Sequence, residues 1–243
     1  KEWLAMHSNK YTLMFTAVLT IVLGFFVSTA DSSLKDMREK NIEADIRKNI
    51  LSSLGFKESI ESPWTNERVE EIFSESIIGF VVDSTGSVVD GKKPKDINPD
   101  IDFKEFPIYK RVNGEQIEGY SIPISGKGLW GTMYGYFSIE PDGATAKGIT
   151  FYSHIETPGL GAEVDKPWFQ NNFPGKKFVD PNGKLIGIQA IKGGVDNTSP
   201  EAYHQVDGIS GATMTTNGLN SFLYEGLKNY DPYLSKVRSF SSL

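Results

Sequence analysis

From Tyr11 to Ala30 the chain reads YTLMFTAVLTIVLGFFVSTA, uncharged and mostly apolar. As a helix, about 20 residues span roughly 30 Å, the thickness of a bilayer's hydrocarbon core. A cleaved signal peptide competes with a retained transmembrane helix, because Ser28-Thr29-Ala30 resembles a small-residue cleavage site. The apolar run is longer than the roughly 7–15 residues of a signal core, which favours the retained anchor. The next segment, SSLKDMREKNIEADIRKNILSSLGF, changes to an amphipathic period. Leu34, Met37, Ile42, Ile46, Ile50 and Leu54 recur at helical spacing and Gly55 supplies a stop, which predicts a stalk helix. TNERVEEIFSESI predicts a short helix capped by Thr65 or Asn66, with Val69, Ile72, Phe73 and Ile77 inward and Glu70 and Glu71 serving solubility.

Beyond residue 77 the pattern becomes that of strands. IIGFVVDSTGSVVDG holds two β-branched runs around an Asp83–Gly86 turn, and the polar GKKPKDINPDIDFKEF reads as a surface loop. Asn113-Gly114 and Pro141-Asp142-Gly143 each mark a hairpin. KLIGIQAIKGG gives one more strand, and TMTTNGLNSFLYEGLKNY a helix with Met214, Leu219, Phe222, Leu223 and Leu227 on one apolar face. The pattern predicts an α+β fold: an N-terminal transmembrane helix followed by a domain built on antiparallel sheet with flanking helices. The expected organisation is an N-terminal stub at 1–10, a span at 11–30, a helical stalk and first strands at 31–110, and a globular domain at 111–243.

Charge leaves the orientation of the span open. Lys10 before it and Asp31 after it favour the N-terminus inside, but Lys35, Arg38, Lys40, Arg47 and Lys48 beyond it point the other way. The formal net charge of −6 argues against nucleic-acid binding. The chain has no cysteine, which excludes disulfides, thiolate metal sites and Cys-ligated clusters. No G-x-G-x-x-G lies between a strand and a helix, and SGKGLWG lacks the Ser or Thr of a phosphate loop. His7, His154 and His204 have no metal-site spacing, and His154 near Glu156 reads as polar residues leaving a strand end. No believable hydrolytic triad or carboxylate pair appears.

Three loops carry more. SGKGLWG, 125–131, has three glycines and Trp130, which suit either a flat ligand or a hairpin loop with a core Trp. ETPGLGAE, 156–163, fixes a turn through Pro158, Gly159 and Gly161. DGISGATMTTNGL, 207–219, puts small residues and hydroxyls directly before a helix that begins near Thr213. A helix N-terminus offers unpaired N–H groups and partial positive charge, so this stretch fits a phosphate site as well as it fits a capped helix.

DGISGATMT resembles the flavinylation motif of the FMN-binding domain family, and ETPGLG and GLW match that family in the same order. The resemblance implies one FMN joined covalently, through a phosphoester, to Thr215. It implies that Ser210, Gly211, Ala212 and Thr213 surround the phosphate, and that Glu156, Thr157, Gly159, Leu160 and Gly161 lie along the isoalloxazine or ribityl side. Trp130 is expected near the ring, and Lys192, in Lys192-Gly193-Gly194, as an added contact. Asp207, a poor phosphate neighbour because like charges repel, is assigned to attachment by a separate flavin transferase, through a metal ion. With the N-terminal span and the ending YLSKVR, the whole chain is similar to the family members found in sodium-translocating NADH:quinone reductases. Members in Rnf-type ion-translocating complexes share the threonine motif and ETPGLG, but the long segment before the hairpins and DPYLSKVRSF favour the former.

That likeness implies an electron relay without a complete active site of its own. It would take an electron from a subunit with an iron–sulfur centre and pass it to a subunit with a second flavin. The chain would be single-pass in the bacterial inner membrane, with the stub cytoplasmic and the C-terminal domain periplasmic. Two other readings stand beside it: a module that binds FMN or phosphate reversibly, and an assembly subunit with a vestigial motif.

Overall fold

The computed structural model describes residues 8–97, 101–102 and 104–241. Most of the stub at 1–10, with His7, and part of the loop at 91–106 lie outside the described residues. The apolar run and the amphipathic run form one element, α1, Asn9–Ser53. Over part of its length α1 is long and apolar enough to cross a membrane, and Leu13, Phe15, Ile21, Phe25 and Val27 are all exposed. The stalk stripe is used only in its second half. Leu34, Met37 and Ile42 of that stripe are exposed, whereas Ile50, Leu51 and Leu54 are fully buried. The reason is that the compact unit begins at Ala44, so only the last turns of α1 have a core to join.

Gly55 stops the helix as its position predicts. Its φ is +87°, the Phe56 N–H donates to the Leu51 carbonyl at 3.0 Å, and the Gly55 N–H donates to the Ser52 carbonyl at 3.0 Å. This pair of bonds closes a helix end around a left-handed glycine. The Arg111 guanidinium also donates to the Leu54 carbonyl at 2.7 Å and lies over the Phe56 ring.

Helix α2, Asn66–Ser76, is capped by Thr65, whose hydroxyl accepts the Arg68 N–H at 3.2 Å. Glu70 and Glu71 do more than solubilise it: Glu70 pairs with Arg47, and Glu71 with Arg68. The five strands β1 (Ile77–Asp83), β2 (Glu105–Asn113), β3 (Gln116–Lys127), β4 (Thr132–Ile139) and β5 (Ala146–Ser153) form an antiparallel meander in chain order. Residues 110 and 111 both lie inside β2, so the strands expected before and after that point share one sheet. Two more strands, β6 (Gln189–Ile191) and β7 (Gln205–Asp207), pair in parallel as a separate ribbon, so the run around KLIGIQAIKGG supplies only three strand residues outside the main sheet. Short helix α3, Pro167–Gln170, follows a 3-10 turn at Gly161–Asp165, and α4 spans Thr213–Ser241.

Alternation along the strands separates two cores. Phe137 and Ile108 join Ile122, Ile149, Leu219, Leu223 and Leu227 on the α4 side. Tyr136 and Tyr109 face the other way, toward Ile50 and Leu51 of α1, Leu54 just past its end and Val69 of α2. On that second face the Ser53 hydroxyl bonds to the facing pair Ser121 and Ser138, at 3.0 and 2.7 Å. Met214, expected on the inner face of α4, is 61 % exposed, because the inward stripe starts only at Thr215 and Leu219.

A Cβ on Gly148 would lie 2.4 Å from the Ser53 carbonyl oxygen. Gly148→Ala should therefore push the end of α1 off the sheet and cost about 1–3 kcal/mol. Thermal unfolding should show a midpoint lower by about 2–10 °C.

Candidate cofactor site

Helix α4 begins without a side-chain cap. The Thr216 N–H donates to the Ala212 carbonyl at 2.9 Å, which makes Ala212 the capping position, and alanine has no oxygen to offer. Among the described residues, nothing accepts from the N–H groups of Thr213, Met214 or Thr215. Helix α2, with Thr65 in place, shows what a protein-capped start looks like in this chain. Gly211, at φ +75°, turns the chain into the helix, and a Cβ there would press on Leu160 at 2.9 Å. The turn therefore has to be glycine, and it brings the 157–161 loop against the helix start.

A cavity of about 590 Å³ opens beside this end. Ser210, Gly211, Thr213 and Thr216 line one wall, Lys192, Gly194 and Asp207 another, and Gly159, Glu163 and Trp168 a third. The Thr216 hydroxyl, in a residue 6 % exposed, has no partner among the described residues although it belongs to the lining. A buried hydroxyl without a bond is costly, so a group in the cavity that accepts from it is favoured. The Trp168 indole N–H donates to Glu163 Oε2 at 2.7 Å, which fixes the ring as a wall. Asp207 Oδ1 accepts the Val195 N–H at 2.7 Å and so clasps the Lys192–Gly194 loop to β7. Among the described residues, no three His, Asp or Glu side chains cluster as a metal site.

Thr215 is turned away from the cavity. It is 1 % exposed, and its Oγ1 donates to Glu156 Oε2 at 2.5 Å. Glu156 Oε1 accepts the Trp130 N–H at 2.9 Å. Burial alone would raise the Glu156 carboxyl, but the Thr215 hydroxyl and the backbone of Trp130, Leu129 and Gly131 outweigh it and hold the group below its ordinary value. Trp130 is not a core residue: it is 64 % exposed, and its indole N–H donates to Thr157 Oγ1 at 3.0 Å. His154 does not pair with the Glu156 carboxylate; its Nδ1 accepts the Glu156 N–H at 3.3 Å while its Nε2 faces Asp165 at 3.4 Å.

The sequence-predicted residues thus divide. Gly159, Lys192, Asp207, Ser210, Gly211 and Thr213 meet at the cavity, while Glu156, Trp130, Thr157 and Thr215 form a hydrogen-bonded layer beside it with Gly161 packed closely against Glu156 and Thr215. Ala212 is buried as the helix cap, and Leu160 covers Gly211. Sequence reasoning missed Trp168, Glu163 and Asn217, and noted Thr216 only as one hydroxyl of several. The available signal was an isolated Trp directly after Pro167 in a polar stretch.

This geometry has known relatives. The model of the FMN-binding domain family matches residues 128–228, which contain the cavity lining and the hydrogen-bonded layer beside it. The chain is 36 % identical to the NqrC subunit of the Na(+)-translocating NADH-quinone reductase of Vibrio vulnificus, over 95 % of this chain and 96 % of that one. The chain belongs to this NqrC family. The Pasteurella multocida relative of the same name is 32 % identical over 94 % of each chain. Among solved structures, the NqrC of Parabacteroides distasonis superposes with a TM-score of 0.70 at 30 % identity, covering 83 % of this chain and 97 % of that one. Shewanella oneidensis NqrC gives 0.66 at 26 %, covering 80 % and 97 %. The NqrC fold agrees with the expected α+β class, with its antiparallel sheet and flanking helices.

The Glu156 carboxylate is favoured in the folded state, so the stability it contributes is complete above the ordinary glutamate value of 4.5 and is lost as pH falls through the lowered folded value. At pH 7, Glu156→Gln should be less stable than wild type by about 1–3 kcal/mol. The two chains should converge once the pH has fallen through the lowered folded value, as urea unfolding across a pH series will show.

Proposed function

We propose that this chain is a membrane-anchored electron-transfer subunit that carries one FMN, joined through its phosphate to Thr215 Oγ1, within a sodium-translocating NADH:quinone reductase. The observation that carries the reading is the open start of α4: Ala212 stands where a capping hydroxyl belongs, and the N–H groups of Thr213, Met214 and Thr215 await an anion. Fit to the cofactor supports it. The phosphate would accept from these amides and from the unpartnered Thr216 hydroxyl, with Lys192 supplying positive charge across the cavity. Gly159 and Gly193, where a Cβ would meet nothing within 4 Å, leave room for a flat ring system beside Trp168. When bound, FMN supplies the one-electron redox chemistry. The protein holds the phosphate, walls the ring with Trp168 on one side and the Thr157–Gly161 turn with Trp130 on the other, and keeps Asp207 as the clasp of the Lys192–Gly194 loop.

Membership of the NqrC family and the apolar helix support the following partners. Tyr11–Ala30 anchors the chain in the bacterial inner membrane and packs on helices of neighbouring subunits. The domain from Ala44 onward lies on the periplasmic side, receives an electron from a subunit with an iron–sulfur centre and delivers it to one with a second flavin. A flavin transferase attaches the cofactor during maturation, with Asp207 on the cavity rim as its contact.

In-gel flavin fluorescence after denaturing electrophoresis tests the attachment. Wild type should give a fluorescent band at the mass of the chain, Thr215→Ala should be dark, and Thr213→Ala and Thr216→Ala should keep the covalent signal. A band that survives in Thr215→Ala, or a dark wild type, overturns the reading. Flavin released on denaturation would show a reversible binding module instead.

A further inference from the structure

We propose that Glu156 is the base that takes the proton from Thr215 Oγ1 when that hydroxyl is joined to the flavin phosphate. This rests on the reading of Thr215 as the attachment point. A threonine in the first turn of a helix ordinarily spends its hydroxyl on nearby backbone. Thr215 instead donates across 59 residues of sequence to a buried carboxylate, at 2.5 Å. That is the distance a general base needs to its proton, with no movement required of either group.

The surroundings are built around this pair. A Cβ on Gly161 would sit 2.5 Å from Glu156 Oε2 and 2.6 Å from Thr215 Oγ1, and one on Gly128 would sit 2.6 Å from Glu156 Oε1. Two loops therefore lack side chains where the carboxylate lies. A buried carboxylate with one hydroxyl partner would be unfavourable, but this one also accepts from the β3–β4 loop through Trp130, which keeps it ionised. Asp207, the other acidic residue of the motif, is turned to Val195 and lies on the cavity side. The titratable groups beside Glu156 are His154, bonded to its backbone N–H, and Asp165, which faces His154.

The step balances without an oxidant or reductant. Thr215 Oγ1 attacks the flavin-side phosphorus of a flavin dinucleotide. The Oγ1–P bond forms, the P–O bond of the anhydride breaks, and the nucleoside monophosphate departs with the electron pair. The hydroxyl proton passes to Glu156 Oε2 and then to solvent. An anhydride is required because FMN itself offers no leaving group better than hydroxide. Since Thr215 is 1 % exposed, the Thr157–Gly161 turn shifts to admit the phosphorus, while Glu156 stays held by the β3–β4 loop.

The test is the initial rate of flavin attachment to the full-length, flavin-free chain in detergent. The probe is FAD with purified flavin transferase, the readout in-gel fluorescence, and the range about pH 6 to 9. Wild type should be flat with pH. Glu156→Gln should be slower by about 10²–10⁴-fold and should accelerate with pH as hydroxide replaces the missing base. Glu156→Asp should keep the flat profile at a reduced rate, and it decides the matter should Glu156→Gln fail to fold. His154→Asn should keep the wild-type profile. A Glu156→Gln chain with the wild-type rate, or a Glu156→Asp or Glu156→Gln chain that is slower with the opposite profile to that stated, overturns the assignment and leaves Glu156 as a structural tie. Peptide mass mapping separates the two levels: wild type labelled at another residue sinks the attachment reading, and this one with it.

Discussion

Helix α4 lies on the backbone of β3 at a separation only glycine permits. A Cβ on Gly126 of β3 would overlap Phe222, at 2.1 Å from its Cβ, and a Cβ on Gly218 of α4 would lie 2.3 Å from the Lys127 carbonyl oxygen. One glycine on each element lets the two backbones meet. Lys127 is the last residue of β3, so the loop that follows, 128–131, starts from that contact. Glu156 hangs from this loop, and Thr215 stands three residues before Gly218, one helical turn away. The hydrogen bond between Glu156 and Thr215 is thus set by a packing distance rather than by either residue alone. A side chain at either glycine would lift the start of α4 and open that bond.

The same helix explains why its start is open. Its inner face is fixed by Leu219, Phe222, Leu223 and Leu227, all buried in the larger core. That core sets the rotation of the first turn, which sends Thr215 inward, Met214 outward and Thr213 and Thr216 to the cavity. Stability comes from the apolar face further along, so the first turn is free of the need to cap itself. Two of the cavity walls are tied down by hydrogen bonds, Val195 to Asp207 and Trp168 to Glu163, and the layer beside the cavity by Trp130 to Thr157.

Much of this was legible in local sequence. Gly55, Asn113-Gly114 and Pro141-Asp142-Gly143 mark chain reversals because φ near Gly55, Gly114 and Gly143 is positive, a demand met within a few residues. The start of α4 at Thr213 was readable for the same reason. The stripe at Leu34, Met37 and Ile42 marked the helix but not its cover, because periodicity states which face is apolar and not what covers it. Met214 misled because a helical face holds for a few turns only once a neighbour fixes its rotation. The depth of Glu156 could not be read at all: its partners are 26 and 59 residues away, and only the folded hairpins bring them together. Trp168 and Glu163 were passed over because their bond to each other and their place on the cavity wall arise from a 3-10 turn with no strong pattern of its own.

The open end of α4 has a thermodynamic side. A freely dissociating anion at Thr213–Thr215 would stabilise the domain only in proportion to its concentration, by mass action. An anion tethered as proposed, through Thr215, would have an effective concentration that no dilution reduces, of roughly millimolar order or more for short linkages. The cap then behaves like a side chain, though one that translation does not supply. On the proposed attachment, folding and maturation would be two stages of one process: the polypeptide reaches its shape with three amide hydrogens still unspent, and the last hydrogen bonds of the fold would arrive with the cofactor.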